Sequence, residues 1–180
     1  MNFTYYNPTA IEFGEGKIES ITKYIDKNQR VLVVYGGGSI KNNGVYDQVN
    51  EELKDYNWFE FSGVEPNPTI ETMNKAINVI KENKIDFVLA VGGGSVIDGC
   101  KYLVAAALYD GDGWDFLNGK AVVKEALPLG VILTLPATGS ESNSGAVLTK
   151  KETKDKCAFM SPHIFPKFAV LDPLTMITLD

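Results

Sequence analysis

Two short runs carry the residues best suited to chemistry: Gly36-Gly37-Gly38-Ser39 and Gly92-Gly93-Gly94-Ser95. Each follows a continuous apolar segment, Val31 to Tyr35 in the first case and Phe87 to Val91 in the second, and such segments read as buried strands. Glycines at the carboxyl end of a strand let the backbone approach a ligand closely, the helix that follows offers unpaired N–H groups, and a serine hydroxyl adds a donor. That combination suits phosphate. The second run leads directly into a helical stripe and is the better seat for pyrophosphate; a plain strand-to-helix turn is the bland alternative for either run alone. Neither run is a GxGxxG fingerprint. In Gly94-Ser95-Val96-Ile97-Asp98-Gly99-Cys100-Lys101 a cysteine stands where a P-loop needs its lysine, which disfavours a nucleoside triphosphatase.

A dinucleotide site that selects NAD holds the ribose 2′-hydroxyl with a carboxylate, and that charge repels a 2′-phosphate. No acid lies between Gly36 and Ser39, and Lys41 follows closely, so the first run favours NADP(H). Thr134 to Asn143 places hydroxyls, a glycine and one acid directly after another apolar run; it either lines a cofactor pocket or is a solvated loop. Ser140 makes a poor nucleophile, because the segment lacks the GxSxG elbow and the one histidine, His163, lies far along the chain. Cys100 and Cys157 lack CxxC spacing, so free thiols are expected rather than a disulfide or a zinc knuckle.

These loops need a scaffold, and the apolar pattern supplies one. The first dozen residues read as two short strands around Pro8, the first an exposed pairing edge. Ile18, Ile21 and Ile25 mark a helix before the Val31 strand. Val45, Val49 and Leu53 mark the next helix, Trp58 to Phe61 a strand, and Ile70, Met73, Ile77 and Ile80 an amphipathic helix capped by Thr69. After Phe87 to Val91 come a helical stripe over 96–108 and a strand over Val131 to Leu135. The charged stretch 150–156 between two apolar runs reads as a β-hairpin or an extended excursion, and Phe168 to Pro173 as a last strand ended by the proline. Strands and helices in alternation, with runs apolar on both faces, predict an α/β fold: a Rossmann-like open, mostly parallel sheet with helices on both faces.

Composition is consistent with that fold. The 180 residues are 44% hydrophobic and 22% charged, with 17 Lys+Arg against 23 Asp+Glu giving a net charge of −6. A chain of this size buries a substantial core without disulfides or a structural metal. The acidic balance argues against a nucleic-acid partner, which requires clustered cations. The first residues lack a basic stretch followed by an apolar one, and no run approaches a membrane span, so no membrane partner and a cytoplasmic location are expected.

Taken together, Tyr35-Gly36-Gly37-Gly38-Ser39, Glu65-Pro66-Asn67-Pro68, Gly92 to Asp98 and Leu133 to Asn143 resemble the iron-containing (group III) alcohol dehydrogenases, in particular the NADPH-dependent butanol dehydrogenase or aldehyde reductase branch. The resemblance runs through the whole chain. It implies the dehydroquinate synthase-like N-terminal fold, with 1–180 as the NAD(P)-binding domain and its last residues leading towards a helical, metal-binding domain. It implies that Gly93, Gly94 and Ser95 contact the pyrophosphate, with Asp98 towards the nicotinamide. Gly36 stands where NAD-preferring members carry an aspartate, with Gly37, Gly38 and Ser39 around the 2′-phosphate. Thr134, Thr138, Gly139 and Ser140 would lie along the cofactor, and Lys156 would reach the ribose. Family members carry one Asp and three His for Fe or Zn, and the first of these would fall about ten residues past Asp180. No catalytic or metal-ligating residue is therefore expected in this chain; cofactor binding without catalysis and a homodimer are. The related NAD-dependent glycerol dehydrogenases and dehydroquinate synthase-like enzymes are the rival reading, disfavoured by the glycines at 36–38, and a stand-alone nucleotide-binding module is the other.

Overall fold

Val31, Val33 and Tyr35 turn to one face of their strand and Leu32 and Val34 to the other, and both sets are buried. This is how a strand covered on both faces behaves. The computed structural model describes residues 1–177. Around that strand it builds β1 (Ala10–Phe13), β2 (Arg30–Tyr35), α1 (Val45–Glu52), β3 (Asn57–Phe61), α2 (Ile70–Asn83), β4 (Phe87–Gly93), α3 (Gly94–Ala106), α4 (Trp114–Leu117), β5 (Leu129–Leu135), β6 (Gly145–Lys150), β7 (Asp155–Met160) and β8 (Phe168–Leu171). Six strands pair in the order β1-β8-β5-β4-β2-β3, every pair parallel. The remaining two, β6 and β7, form an antiparallel hairpin whose charged tip is residues 151–154.

Each face of the sheet has its own core. On one side Val31, Val33, Leu89, Val91 and Val170 pack with Ile18, Ile21, Val45, Val49 and Leu53. On the other Leu32, Val34, Ala90, Val131 and Ala169 pack with Met73 and Ile80 of α2, Leu103 and Val104 of α3 and Leu148 of the hairpin. The predicted α/β sheet with helices on both faces is the observed architecture, and its parallel character is complete.

Two local expectations are corrected. The first residues hold one strand, not two: pairing begins at Ala10 against Phe168, and residues 1–8, with Phe3, Tyr5 and Tyr6 exposed, have no partner strand. The segment carrying Ile18 and Ile21 is a 3₁₀ helix, Lys17–Lys23, rather than an α-helix. It lies between positive-φ Gly14 and Gly16 and the turn at residues 27–28, too short for α propagation. Of the last ten residues, expected to lead towards a further domain, Leu171 ends β8, Pro173–Met176 form a 3₁₀ turn capped by the Asp172 carboxylate, and 178–180 lie outside the described residues.

A candidate cofactor crevice

β2 hands the chain outward to β3, whereas β4, its neighbour on the other side, hands it in the opposite direction to β5. The strand order therefore reverses between β2 and β4, and open parallel sheets bind ligands beyond the carboxyl ends at such a point. Both glycine runs sit there. β2 ends at Tyr35 and runs into Gly36–Gly38; β4 ends at Gly93 and runs without a break into α3.

The two helices that begin nearby differ in how their first N–H groups are treated. α2 is capped by Thr69, whose hydroxyl accepts from the Thr72 N–H at 3.3 Å, and carries Glu71 in its first turn. α3 has Gly93 at its cap, no side-chain cap and no acid in its first turn. Its free amides and the positive end of its dipole face the crevice unneutralised, an arrangement suited to an anion.

The glycines are there for close packing as well as access. A Cβ on Gly94 would stand 2.6 Å from Thr138 Cγ2 and Oγ1, and one on Gly93 3.0 Å from Leu135 Cβ. Side chains there would collide first with the end of β5 and the segment that follows it. By contrast, nothing lies within 4 Å of a Cβ built on Gly37 or Gly38. These two, with Gly36, Tyr35, Lys41, Ser62 and Gly63, line an open cavity of about 240 Å³. Gly38, at φ 99°, is in the left-handed region that a glycine enters without strain, and it starts the short 3₁₀ turn Ser39–Lys41.

The Lys41 ammonium stands at the rim, 4.5 Å from the Tyr46 ring centre, 5.3 Å from that of Tyr35 and 3.7 Å from the Glu60 carboxylate. Glu60, on β3, was not foreseen as a neighbour of this loop. It accepts hydrogen bonds from Tyr35 (3.0 Å) and Tyr46 (2.9 Å), so the acid nearest this loop is already engaged.

The structure brings the other expected residues to the opposite wall. Ser95 accepts from the Asn67 N–H at 3.3 Å, and the Lys156 ammonium donates to Asn67 Oδ1 at 2.7 Å, so α3, the Glu65–Pro68 loop and the hairpin meet at Asn67. Asn67 is held at φ 56°, a conformation asparagine tolerates better than most residues. Thr134 is half-buried near the end of β5; Thr138 and Gly139 are exposed in the following loop, where Thr138 Oγ1 accepts from the Ser140 N–H at 3.2 Å. Ser140 is 3% exposed, and its hydroxyl donates to Asp98 Oδ1 at 2.5 Å, so it faces inward rather than towards a ligand. Asp98 also accepts from the Val147 N–H at 3.0 Å; burial pushes its carboxyl above the usual aspartate value, with these two bonds opposing.

Lys101, like Glu60, was not singled out from sequence. Lys101 is fully buried, and its ammonium donates to Ser140, Asn143 and the Gly145 carbonyl. The signal that could have found it is a lone cation within the otherwise apolar stretch Cys100 to Ala106.

Among the described residues no helix is long and apolar enough to cross a membrane, and no three His, Cys, Asp or Glu side chains gather to hold a metal ion.

The family model for iron-containing alcohol dehydrogenases matches residues 8–173. The chain is 52% identical over 181 residues to a probable NADH-dependent butanol dehydrogenase of Bacillus subtilis and 51% identical to the NADPH-dependent aldehyde reductase YqhD of Escherichia coli, in both cases over 99% of this chain and 47% of the relative. It superposes on a crystal structure of YqhD with a TM-score of 0.95 at 51% identity, and on the NADH-dependent butanol dehydrogenase A of Thermotoga maritima with a TM-score of 0.94 at 46% identity. These alignments cover 99% of this chain and 47% and 46% of those structures. The chain thus spans about half the length of the relatives it matches. With a matching fold and a family match over nearly its full length, the chain belongs to the iron-containing alcohol dehydrogenase family.

Proposed function

We propose that residues 1–180 are the cofactor-binding domain of an NADP(H)- and metal-dependent alcohol dehydrogenase or aldehyde reductase, acting between an aldehyde such as butanal and its primary alcohol. The observation that carries this reading is the uncapped amino end of α3 at the β2/β4 reversal, facing the open Gly36–Gly38 cavity. The amides of Gly93, Gly94 and Ser95 would hold the pyrophosphate. Gly36, Gly37, Gly38 and Ser39 would surround the 2′-phosphate, with Lys41 the nearest cation. Thr134, Thr138, Gly139 and the backbone at Ser140 would flank the nicotinamide half, Asp98 would close the crevice behind them, and Lys156 would reach the ribose from the hairpin.

NADPH, when bound, supplies a hydride to the carbonyl carbon. This chain's own residues bind, orient and desolvate the cofactor, and α3 gives its phosphates a preorganised positive end. The described residues do not fit a catalytic metal, which needs about three converging protein ligands. The relatives are about twice as long as this chain; the proposal assigns metal chemistry to the part they have beyond the matched half, and cofactor binding without turnover to residues 1–180. We also propose a cytoplasmic homodimer joined at the β1 edge.

The relatives' own names divide between NADH and NADPH at nearly equal identity. Preference therefore rests on the first loop, where no acid stands among residues 36–39 and Glu60 is engaged by two tyrosines. Titration of the chain with NADPH and NADH, followed by Trp58 and Trp114 fluorescence at fixed ionic strength, tests the proposal. Saturable binding with NADPH preferred is expected. Absence of saturable binding of either cofactor to the folded chain overturns it, and a preference for NADH overturns the assignment of the first loop.

A further inference from the structure

α3 sends one cation into the core. Lys101 is 0% exposed between Cys100 and Tyr102, and its ammonium meets three acceptors from a single segment: Ser140 Oγ at 3.0 Å, Asn143 Oδ1 at 2.8 Å and the Gly145 carbonyl at 2.8 Å. An ammonium has three protons to give, and all are used. Asp98 lies one turn earlier on the same helix face. It receives the Ser140 hydroxyl on one oxygen and the Val147 N–H on the other, so the buried charges and their polar partners form a closed set. Such a set is favourable when complete and costly when one member is removed. The segment it holds, residues 138–145, contains a three-residue 3₁₀ turn and is otherwise tied from outside by the Asn7 side chain on the Ser142 carbonyl (2.8 Å), the Ser161 N–H on the Ser144 carbonyl (3.0 Å) and the pairing of Gly145 with Met160, so Lys101 and Asp98 are its ties to α3.

We infer that Lys101 is a positioning residue of the cofactor crevice, an internal latch that fastens residues 138–145 to α3 and so fixes where Thr138, Gly139 and the Asp98 carboxylate stand. The latch itself follows from the geometry; its effect on NADPH rests on the cofactor reading above. Methionine, which keeps the apolar stem and lacks the ammonium, would leave Asn143 Oδ1 with the Gly145 N–H alone, take the lysine donor from the Gly145 carbonyl and leave Asp98 without its counter-charge. Burial also brings the Lys101 ammonium down to about 8, opposed by the charges of Asp98 and of Glu141 in the latched segment. A neutral amine has one proton fewer, so the latch loosens as pH rises through that value.

The test is Lys101→Met in the full chain. Amide hydrogen exchange over residues 140–147 is expected to quicken at least tenfold while Val33 and Leu89 in the sheet keep their wild-type rates. The NADPH Kd is expected to rise about tenfold. Wild-type affinity should fall above about pH 8, a dependence that the variant loses and that a merely structural lysine would not produce. Wild-type exchange over 140–147 together with an unchanged pH profile overturns the inference. A wild-type chain that binds no NADPH, while its variant still loosens over 140–147, sinks the cofactor reading and leaves the latch standing. Should Lys101→Met fail to fold, Asn143→Ala removes one acceptor from an exposed position; a smaller change in the same direction is expected, and unchanged exchange and affinity overturn the inference.

Discussion

Ser140 and Asp98 lie 42 residues apart in the chain, yet the serine hydroxyl meets the carboxylate at 2.5 Å. The bond ties the loop after β5 to the helix after β4, which are the two walls of one side of the crevice. A carboxylate there is not interchangeable with an amide. In Asp98→Asn the amide oxygen can still accept from Ser140, but the amide nitrogen then faces the Val147 N–H, donor against donor, and the Lys101 charge loses its counter-ion. A loss of about 1–3 kcal/mol is expected in urea denaturation, with weaker NADPH binding in titration.

Gly36→Asp tests cofactor choice directly. A Cβ at Gly36 would lie 3.3 Å from the Val64 carbonyl and 3.7 Å from Val96 Cγ2, so the side chain fits after a small shift. The new carboxylate borders the cavity assigned to the 2′-phosphate. NADPH affinity is expected to fall about tenfold or more while NADH is spared or gains. Parallel titrations measure it, and an unchanged ratio removes the first loop from the site.

Gly94→Ala separates packing from contact. The added methyl would stand 2.6 Å from Thr138, with no flexible end to give way, so the 138–145 segment must move. A cost of about 1–3 kcal/mol is expected, together with loss of affinity for NADPH and NADH alike. Gly93→Val is the less clean probe, because its Cβ would press on Leu135 before any ligand.

The sheet was readable because a parallel strand buried on both faces leaves an unbroken apolar run, as in Val31 to Tyr35 and Phe87 to Val91. The Thr69 cap was readable because a hydroxyl before an amphipathic stripe has few other uses. Lys101 was not: its partners arrive from 39 to 44 residues away, and one lysine in a helix usually points to solvent. Glu60, and the junction that Asn67 makes, were missed for the same reason, since register between β2 and β3 sets the first and a left-handed turn between two prolines the second. The extra amino-terminal strand was read from aromatic and β-branched residues around Pro8. Aromatics favour strands, but a strand also needs a partner edge, and β8 offers one only from Ala10 onward.

Glu65 predicts an acid-sensitive element. Burial would raise its carboxyl, but the hydroxyl of Thr69 (2.7 Å), its own backbone, the Lys151 ammonium (3.0 Å) and the Thr72 hydroxyl (3.0 Å) outweigh burial and bring it from 4.5 to about 2. A carboxylate that is more acidic in the folded state stabilises it fully above its unfolded value; that contribution fades as pH falls through the folded one. Stability should therefore decline between about pH 4.5 and about pH 2. Glu65→Gln should be less stable at neutral pH and flatter across that window, as urea midpoints at several pH values would show. An equally steep decline in the variant would assign the acid sensitivity to other groups.

The edge at β1 predicts association. Among the described residues β1 pairs only with β8, leaving its outer row of backbone N–H and C=O groups open, and Ile11 and Phe13 on it are 49% and 70% exposed. Phe3, Tyr5 and Tyr6 add exposed aromatic surface just before it. An open, apolar edge of this kind is a template for another strand, and a second copy placed about a two-fold axis satisfies both edges at once. Sedimentation of the wild-type chain is expected to show a dimer. Ile11→Lys with Phe13→Lys puts two like charges on the edge, and two copies would then bring four together, so a monomer is expected with the fold retained by circular dichroism. A double variant that remains dimeric would move the interface away from β1, and a monomeric wild-type chain would remove it.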